Sequence, residues 1–180
     1  MKKFFLFLSF IGLSYGGFCQ EPDSSLHLSA GISFKKFAGF YTMSGVCAEV
    51  SGKCLAREHL ALGLNVTSSS LGSAFFNNGI PVVAAELYAR WIFRKEKTIQ
   101  PFALLNLGFA KAFVNSDKYS SLSTSALLVS PEAGVACRFK PRMQLQGGLG
   151  FNLNSGNGLK GPGFIYPICF QLRLLYTFKN

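Results

Sequence analysis

The stretch Phe164–Phe178 reads Phe-Ile-Tyr-Pro-Ile-Cys-Phe-Gln-Leu-Arg-Leu-Leu-Tyr-Thr-Phe. One parity holds Phe164, Tyr166, Ile168, Phe170, Leu172, Leu174, Tyr176 and Phe178, all large and apolar. The other parity places Gln171, Arg173 and Thr177 among Ile165, Pro167, Cys169 and Leu175. Side chains of a strand alternate between faces, so this strand has one apolar face and one mixed face. It exceeds the usual globular strand length and has a charge at its middle, which a transmembrane helix rarely carries. A tilted strand crosses a bilayer in about 9–11 residues. Aromatics at the ends with aliphatics between are the banding of such a strand.

Seven further stretches alternate in the same way. They fall at residues 25–35, 41–50, 59–67, 80–93, 99–113, 125–139 and 143–153. The third is the most regular, with Leu60, Leu62, Leu64 and Val66 set against His59, Ala61, Gly63, Asn65 and Thr67. Eight strands is an even number, as an antiparallel up-and-down barrel with both ends on one side requires. The connections after the second, fourth and sixth strands are mostly tight, the first (51–58) being the loosest; those after the third, fifth and seventh (68–79, 114–124 and 154–163) are longer, and only the first outer loop, 36–40, is short. Short periplasmic turns and longer outer loops are the pattern of outer-membrane barrels.

Composition points the same way. The 180 residues are 49% hydrophobic but only 14% charged, against about 25% charged in soluble domains. Beyond the N-terminus, no stretch reaches the roughly 18 charge-free apolar residues of a spanning helix. Met1-Lys2-Lys3, the apolar run 4–13 and small residues at Ser14, Gly16 and Gly17 read as a signal peptide. Gly17 and Cys19 suit its cleavage site, which predicts residues 1–19 as signal and 20–180 as one barrel domain. Losing Lys2 and Lys3 takes the formal charge from +10 to +8. Such a basic surface in an exported chain suits anionic lipid and lipopolysaccharide phosphates rather than nucleic acid. Four cysteines remain, Cys47, Cys54, Cys137 and Cys169; their parities place them on different faces, so four buried, unpaired thiols are expected.

Which face is outward separates two architectures. In a soluble lipocalin-like binding barrel the apolar face turns inward. Here the other face is mostly Gly, Ala, Ser, Asn and Gln, too weakly charged for a soluble exterior, so the apolar face is expected to meet lipid. Aromatics fall where membrane belts belong: Phe34, Phe109, Phe151, Phe164 and Tyr166 near the outer ends, and Trp91, Phe93, Phe139, Tyr176 and Phe178 near the periplasmic ends.

With this hairpin rhythm, these belts and the near-terminal aromatics, the chain resembles the small outer-membrane β-barrel family of the OmpA membrane domain and OmpX. It also resembles the PorT-like outer-membrane barrel group. The resemblance covers nearly all of residues 20–180 and implies an integral outer-membrane protein. It implies that the last strand is read by the barrel assembly machinery: Tyr176 and Phe178 match that signal, with Lys179 and Asn180 following.

The inward parity carries the one constellation of charge. Glu49, Glu86 and Glu132 share it with Lys35, His59, Arg90, Arg138 and Arg173. The lumen of an eight-stranded barrel is just wide enough for side chains to fill, and a charge buried there must pair. A Glu–Arg network is therefore expected, with Glu86, Glu132 and Arg173 at its centre, plugging the lumen. In the longer loops Phe75, Phe76, Lys118 and Tyr119 are candidate outer-loop contacts for an extracellular ligand. The rival class is a lipid-A-modifying barrel enzyme. His27-Leu28-Ser29 has a His-x-Ser spacing, but it lies on the inward parity and no third member can be assigned. Neither a zinc spacing nor a phosphate loop is present, so no cofactor, no metal and no catalytic residue is expected. The functional expectation is a non-enzymatic barrel with a structural or surface-binding role.

Overall fold

Alternating faces become a closed wall once every strand finds two neighbours. The computed structural model describes residues 26–37, 42–73, 76–113, 124–154 and 167–178. Within them lie β1 (Leu26–Phe37), β2 (Thr42–Gly52), β3 (Leu60–Ser73), β4 (Phe76–Ile92), β5 (Ile99–Ala112), β6 (Ser125–Lys140), β7 (Met143–Phe151) and β8 (Ile168–Thr177). They pair antiparallel in chain order, and β8 returns to β1, closing the barrel. The fold is an all-β, eight-stranded antiparallel barrel. The predicted signal segment lies outside the described residues, as do Phe164 and Tyr166 of the opening stretch.

The register fixes the barrel's shape. From Ser33 the partners lead through Gly45, Thr67, Ala84 and Ala110 to Ala126 on β6. The other way they lead through Arg173 and Gln146 to Ala136, ten residues further along the same strand. A stagger of ten residues at about 3.3 Å each, over eight strands about 4.8 Å apart, implies a strand tilt of about 40° and a backbone radius of about 8 Å. At that tilt each residue climbs about 2.5 Å, so about ten residues cross an apolar layer about 25 Å deep.

Burial is inverted relative to a soluble protein. Twenty-six large apolar side chains are exposed on the described wall, among them Val46 at 63%, Leu64 at 45%, Leu87 at 65% and Leu149 at 64%. Arg173 is 0% exposed, and Lys35, Glu86 and Arg90 are 1% exposed. Leaving a Leu or Phe half-exposed forgoes about 1 kcal/mol. Over the whole wall that exceeds the net stability of about 5–15 kcal/mol of an ordinary domain. The apolar face is outside, the reverse of a lipocalin.

One end of the barrel, the turn end, carries the start of β1, the end of β8 and three tight connections. The β6–β7 turn is Pro141 and Arg142. The β2–β3 connection runs through a short 3-10 turn, Ala56–Glu58, whose residues all have left-handed φ of 48°, 54° and 69°. Lys95 holds it, donating from Nζ to the Arg57 carbonyl at 2.8 Å and standing 3.7 Å from the Glu58 carboxylate.

Two boundaries differ from the sequence expectation. Residues 68–73 and 76–79 continue as strand rather than loop: pairing runs from Ser68 opposite Val83 to Leu71 opposite Ile80 and, past an irregularity, to Ser73 opposite Phe76. Composition there signals only the absence of an apolar face. Once the register is set lower down, backbone pairing extends the hairpin regardless of what its side chains touch. His59 was expected on the inward parity of the third strand. It lies before β3, stacked on Trp91 with centroids 5.7 Å apart, with Nδ1 2.7 Å from the Ile92 carbonyl. The left-handed turn redirects the chain before the alternation begins.

The β1–β8 seam is close-packed at Gly31, where a Cβ would lie 1.8 Å from the Leu174 carbonyl oxygen. Gly31→Ala is expected to destabilise the barrel by about 1–3 kcal/mol, read as a lower urea midpoint in detergent micelles. Gly147→Ala, where a Cβ meets only Leu172 Cδ1 at 3.8 Å, is expected to leave that midpoint unchanged.

Candidate functional site

The lumen gathers every inward side chain, and three ion pairs cross it. Lys35 on β1 donates from Nζ to Glu86 Oε1 on β4 at 2.5 Å. Arg173 on β8 grips Glu132 on β6 through Nη1 and Nη2, at 3.1 and 2.9 Å. Arg90 on β4 grips Glu49 on β2 through Nε and Nη2, at 3.1 and 2.5 Å. None of these partners lies on hydrogen-bonded neighbours; each pair braces the barrel across its bore. The register stacks them in that order, from the loop end toward the turn end.

Neutral groups complete each pair. Asn65 donates from Nδ2 to Glu86 Oε2 at 3.1 Å and accepts at Oδ1 from Ser33 Oγ at 2.6 Å. Asn106 Nδ2 stands 3.4 Å from Glu132 Oε2. Tyr88 lies between the lower two pairs, its hydroxyl 3.4 Å from Glu49 Oε2 and its ring 5.0 Å from the Arg173 guanidinium. It fits because its cross-strand partner is Gly63, where a Cβ would meet the Tyr88 ring at 2.2 Å. Several buried polar atoms around these pairs find no hydrogen-bond partner among the described residues: Asn106 Oδ1, Gln146 Oε1, both amide atoms of Gln171, Arg173 Nε and Arg90 Nη1.

The expected charge set is thus distributed differently from a single network. Glu86 faces Lys35 rather than Arg173, and Glu49 with Arg90 forms its own pair. Arg138 stands apart: it is exposed at the turn end, where the β6–β7 register shifts. Of the outer-loop candidates, Phe75, Lys118, Tyr119 and the side chain of Phe76 lie outside the described residues, although the backbone of Phe76 begins β4. Ser29 Oγ shares a hydrogen bond of 2.9 Å with Thr177 Oγ1, so the His27–Ser29 spacing brings no base to that hydroxyl. Of the four thiols only Cys47 and Cys169 are buried; Cys54 and Cys137 are half-buried, the first in a surface turn and the second on the outward face. Among the described residues no cluster of metal-ligating side chains occurs.

Sequence reasoning missed the axial layering. At the loop end the bore is filled by a cluster including Phe37, Met43, Val82, Leu128 and Cys169. At the turn end it opens into a cavity of about 350 Å³ below the Arg90–Glu49 pair. The inward parity alone carried that signal: Phe37, Met43, Val82 and Leu128 all fall on it near the loop-end tips of their strands, whereas Gln100 and Gln144 fall on it at the other end.

Breaking one pair should cost more than removing it. Glu132→Gln leaves Arg173 charged and buried, and is expected to destabilise the barrel by about 3–5 kcal/mol. The Glu132→Gln/Arg173→Met double variant is expected to recover most of that loss in urea titrations. A double variant as unstable as the single would show that the pair is not the source of the stability.

No family model matches the chain, and no curated protein does. Among solved structures its fold is similar to Neisserial surface protein A, at 14% identity and TM-score 0.50, over 87% of this chain and 99% of that one. It is similar to the outer membrane protein OprG of Pseudomonas aeruginosa, at 9% identity and TM-score 0.50, over 86% and 96%. It is also similar to Ail, the attachment invasion locus protein of Yersinia pestis, solved with the heparin analogue sucrose octasulfate, at 16% identity and TM-score 0.52, over 87% and 99%. The chain therefore has the fold of the small eight-stranded outer-membrane barrels.

Proposed function

We propose that this chain is an integral outer-membrane protein without enzymatic activity, its lumen closed by ion pairs and its surface role carried by the loop-end connections. The observation that carries the reading is the inversion of burial, with Leu87 65% exposed outside and Arg173 fully buried inside. A bilayer removes the cost of the apolar wall, and the closed strand ring leaves no backbone group facing lipid unpaired. Residues 1–19 act as the export signal, the C-terminal aromatics Tyr176 and Phe178 as the mark for the assembly machinery, and lipopolysaccharide as the surrounding lipid. Within the small barrels, the hairpin rhythm resembles that of the OmpA membrane domain, OmpX and the PorT-like group.

Three layers of paired charge beneath an apolar cap argue for a plug rather than a pore. Phe75, Phe76, Lys118 and Tyr119 supply the aromatic and basic groups of a surface contact. One neighbour, Ail, was solved with a heparin analogue, and a chain of formal charge +8 once Lys2 and Lys3 leave with the signal suits a polyanionic ligand of that kind.

Membrane fractions run on a gel with and without boiling test the reading. An outer-membrane band whose mobility shifts on boiling is expected, and a soluble, non-shifting protein would overturn it. In planar bilayers the refolded barrel is expected to show no steady conductance; stable open-channel currents would refute the plug. Cells displaying the chain are expected to adhere to heparin-coated surfaces more than cells displaying the Lys118→Gln/Tyr119→Ala variant, and equal adhesion would remove the loops from the proposal.

A further inference from the structure

We propose that the turn-end cavity is a binding cup for a small oxyanion, with phosphate or carboxylate chemistry. The cup is the lower part of the lumen. Its floor is the Arg90–Glu49 pair, and its wall includes Lys95, Gln100, Arg138, Arg142 and Gln144. It ends blind, because the other two ion pairs and the apolar cluster fill the bore above it. A solute that enters binds and leaves by the same mouth.

Charge selects the sign of the solute. The lining holds four permanent cations, Arg90, Lys95, Arg138 and Arg142, and two carboxylates, Glu49 and Glu58. Each carboxylate already faces a cation: Glu49 is gripped by Arg90, and Glu58 stands 3.7 Å from Lys95. Arg138 and Arg142 are left without a carboxylate among the lining residues. Arg142 stands exposed at the mouth, its Nη1 donating to the outward-facing Tyr176 hydroxyl at 3.3 Å. Excess positive charge in a recess with low-dielectric walls concentrates anions.

A second, independent observation comes from the floor. Arg90 is 1% exposed, and its pair with Glu49 uses only Nε and Nη2. Its Nη1, buried, has no acceptor among the described residues. The guanidinium, locked on one side by a carboxylate, keeps this covered donor in a fixed orientation beside the cavity floor, and an oxyanion that displaces the side chains covering it is the acceptor that fits it best.

Neutral donors line the approach. Gln146 Nε2 donates to Gln144 Oε1, Gln144 Nε2 to Gln100 Oε1, and Gln100 Nε2 to the Lys95 carbonyl. This run of amides fixes the side chains between the floor and the rim. The cavity of about 350 Å³, against about 30 Å³ of liquid volume per water molecule, admits a hydrated phosphate or a short carboxylic acid. A folded protein or a nucleic acid is too large to enter.

Inorganic phosphate is the probe. The chain is refolded in zwitterionic detergent micelles, its folding verified by the mobility shift on boiling, and titrated calorimetrically at constant ionic strength against sodium chloride. Saturable binding at one site is expected. Arg138→Gln/Arg142→Gln is expected to weaken it by about tenfold or more, equivalent to about 1.4 kcal/mol. Arg138→Gln alone is expected to weaken it by about threefold, and this variant decides the matter if the double one does not fold. Lys111→Gln, at the far end of β5, is expected to leave the affinity unchanged. Absence of saturable phosphate binding, or equal affinity with and without Arg138, would overturn the proposal.

Discussion

Closure is the constraint on which the rest depends. A strand wall in contact with lipid can leave no N–H or C=O unpaired on its edges, so β8 must find β1. It does so from Ser29 opposite Thr177 to Phe37 opposite Cys169. Closing eight strands with a ten-residue stagger sets a radius of about 8 Å, and that radius dictates the interior. Arginine side chains are long enough to brace across it, and glycine appears where the wall or a ring comes closest. Gly31 against Leu174 and Gly63 under Tyr88 are two outcomes of one geometric requirement.

A bore of that width makes charge pairing compulsory. A lone carboxylate among these side chains would cost several kcal/mol, so each glutamate inside carries its own cation. The pairs connect β1 to β4, β6 to β8 and β2 to β4, strands that do not hydrogen-bond with each other. They therefore report on the stagger rather than on local pairing. A one-residue slip of any strand would send its charged side chain into lipid and its leucines into the bore. The pairs thus penalise every register but one, a contribution to specificity that does not require them to add net stability.

Strand existence and facing were legible because both rest on a period of two, which needs no knowledge of neighbours. Leu60, Leu62, Leu64 and Val66 declare their face whatever lies beside them. The identity of charge partners was not legible, because parity says that Glu86 points inward but not at what height. Height follows from the tilt and stagger, which are properties of the closed ring. That is why Lys35, near the loop-end tip of its strand, meets Glu86 in the middle of β4, while Arg173 meets Glu132 instead. His59 failed for a local reason, since three consecutive left-handed residues (Ala56, Arg57 and Glu58) change the chain's direction just before it. Ser68 to Ser73 failed for a third: serines show no apolar rhythm even while their backbone continues the ladder.

The two ends of the bore differ in kind, and the difference has a direction. Toward the loop end the inward positions turn apolar, with Phe37, Met43, Val82 and Leu128 packed together. Toward the turn end they turn polar and basic, with Gln100, Gln144 and Arg142 around an open cavity. The bore is thus an apolar cluster toward one side and a charged recess toward the other. Between them, among the described residues, lie the three ion pairs. An ion crossing would have to displace a buried carboxylate from its cation and then enter the apolar layer unsolvated, two penalties of several kcal/mol in series. The two ends of the interior thus differ in kind, and the polar and basic side chains of the described bore that line an open cavity lie at the turn end.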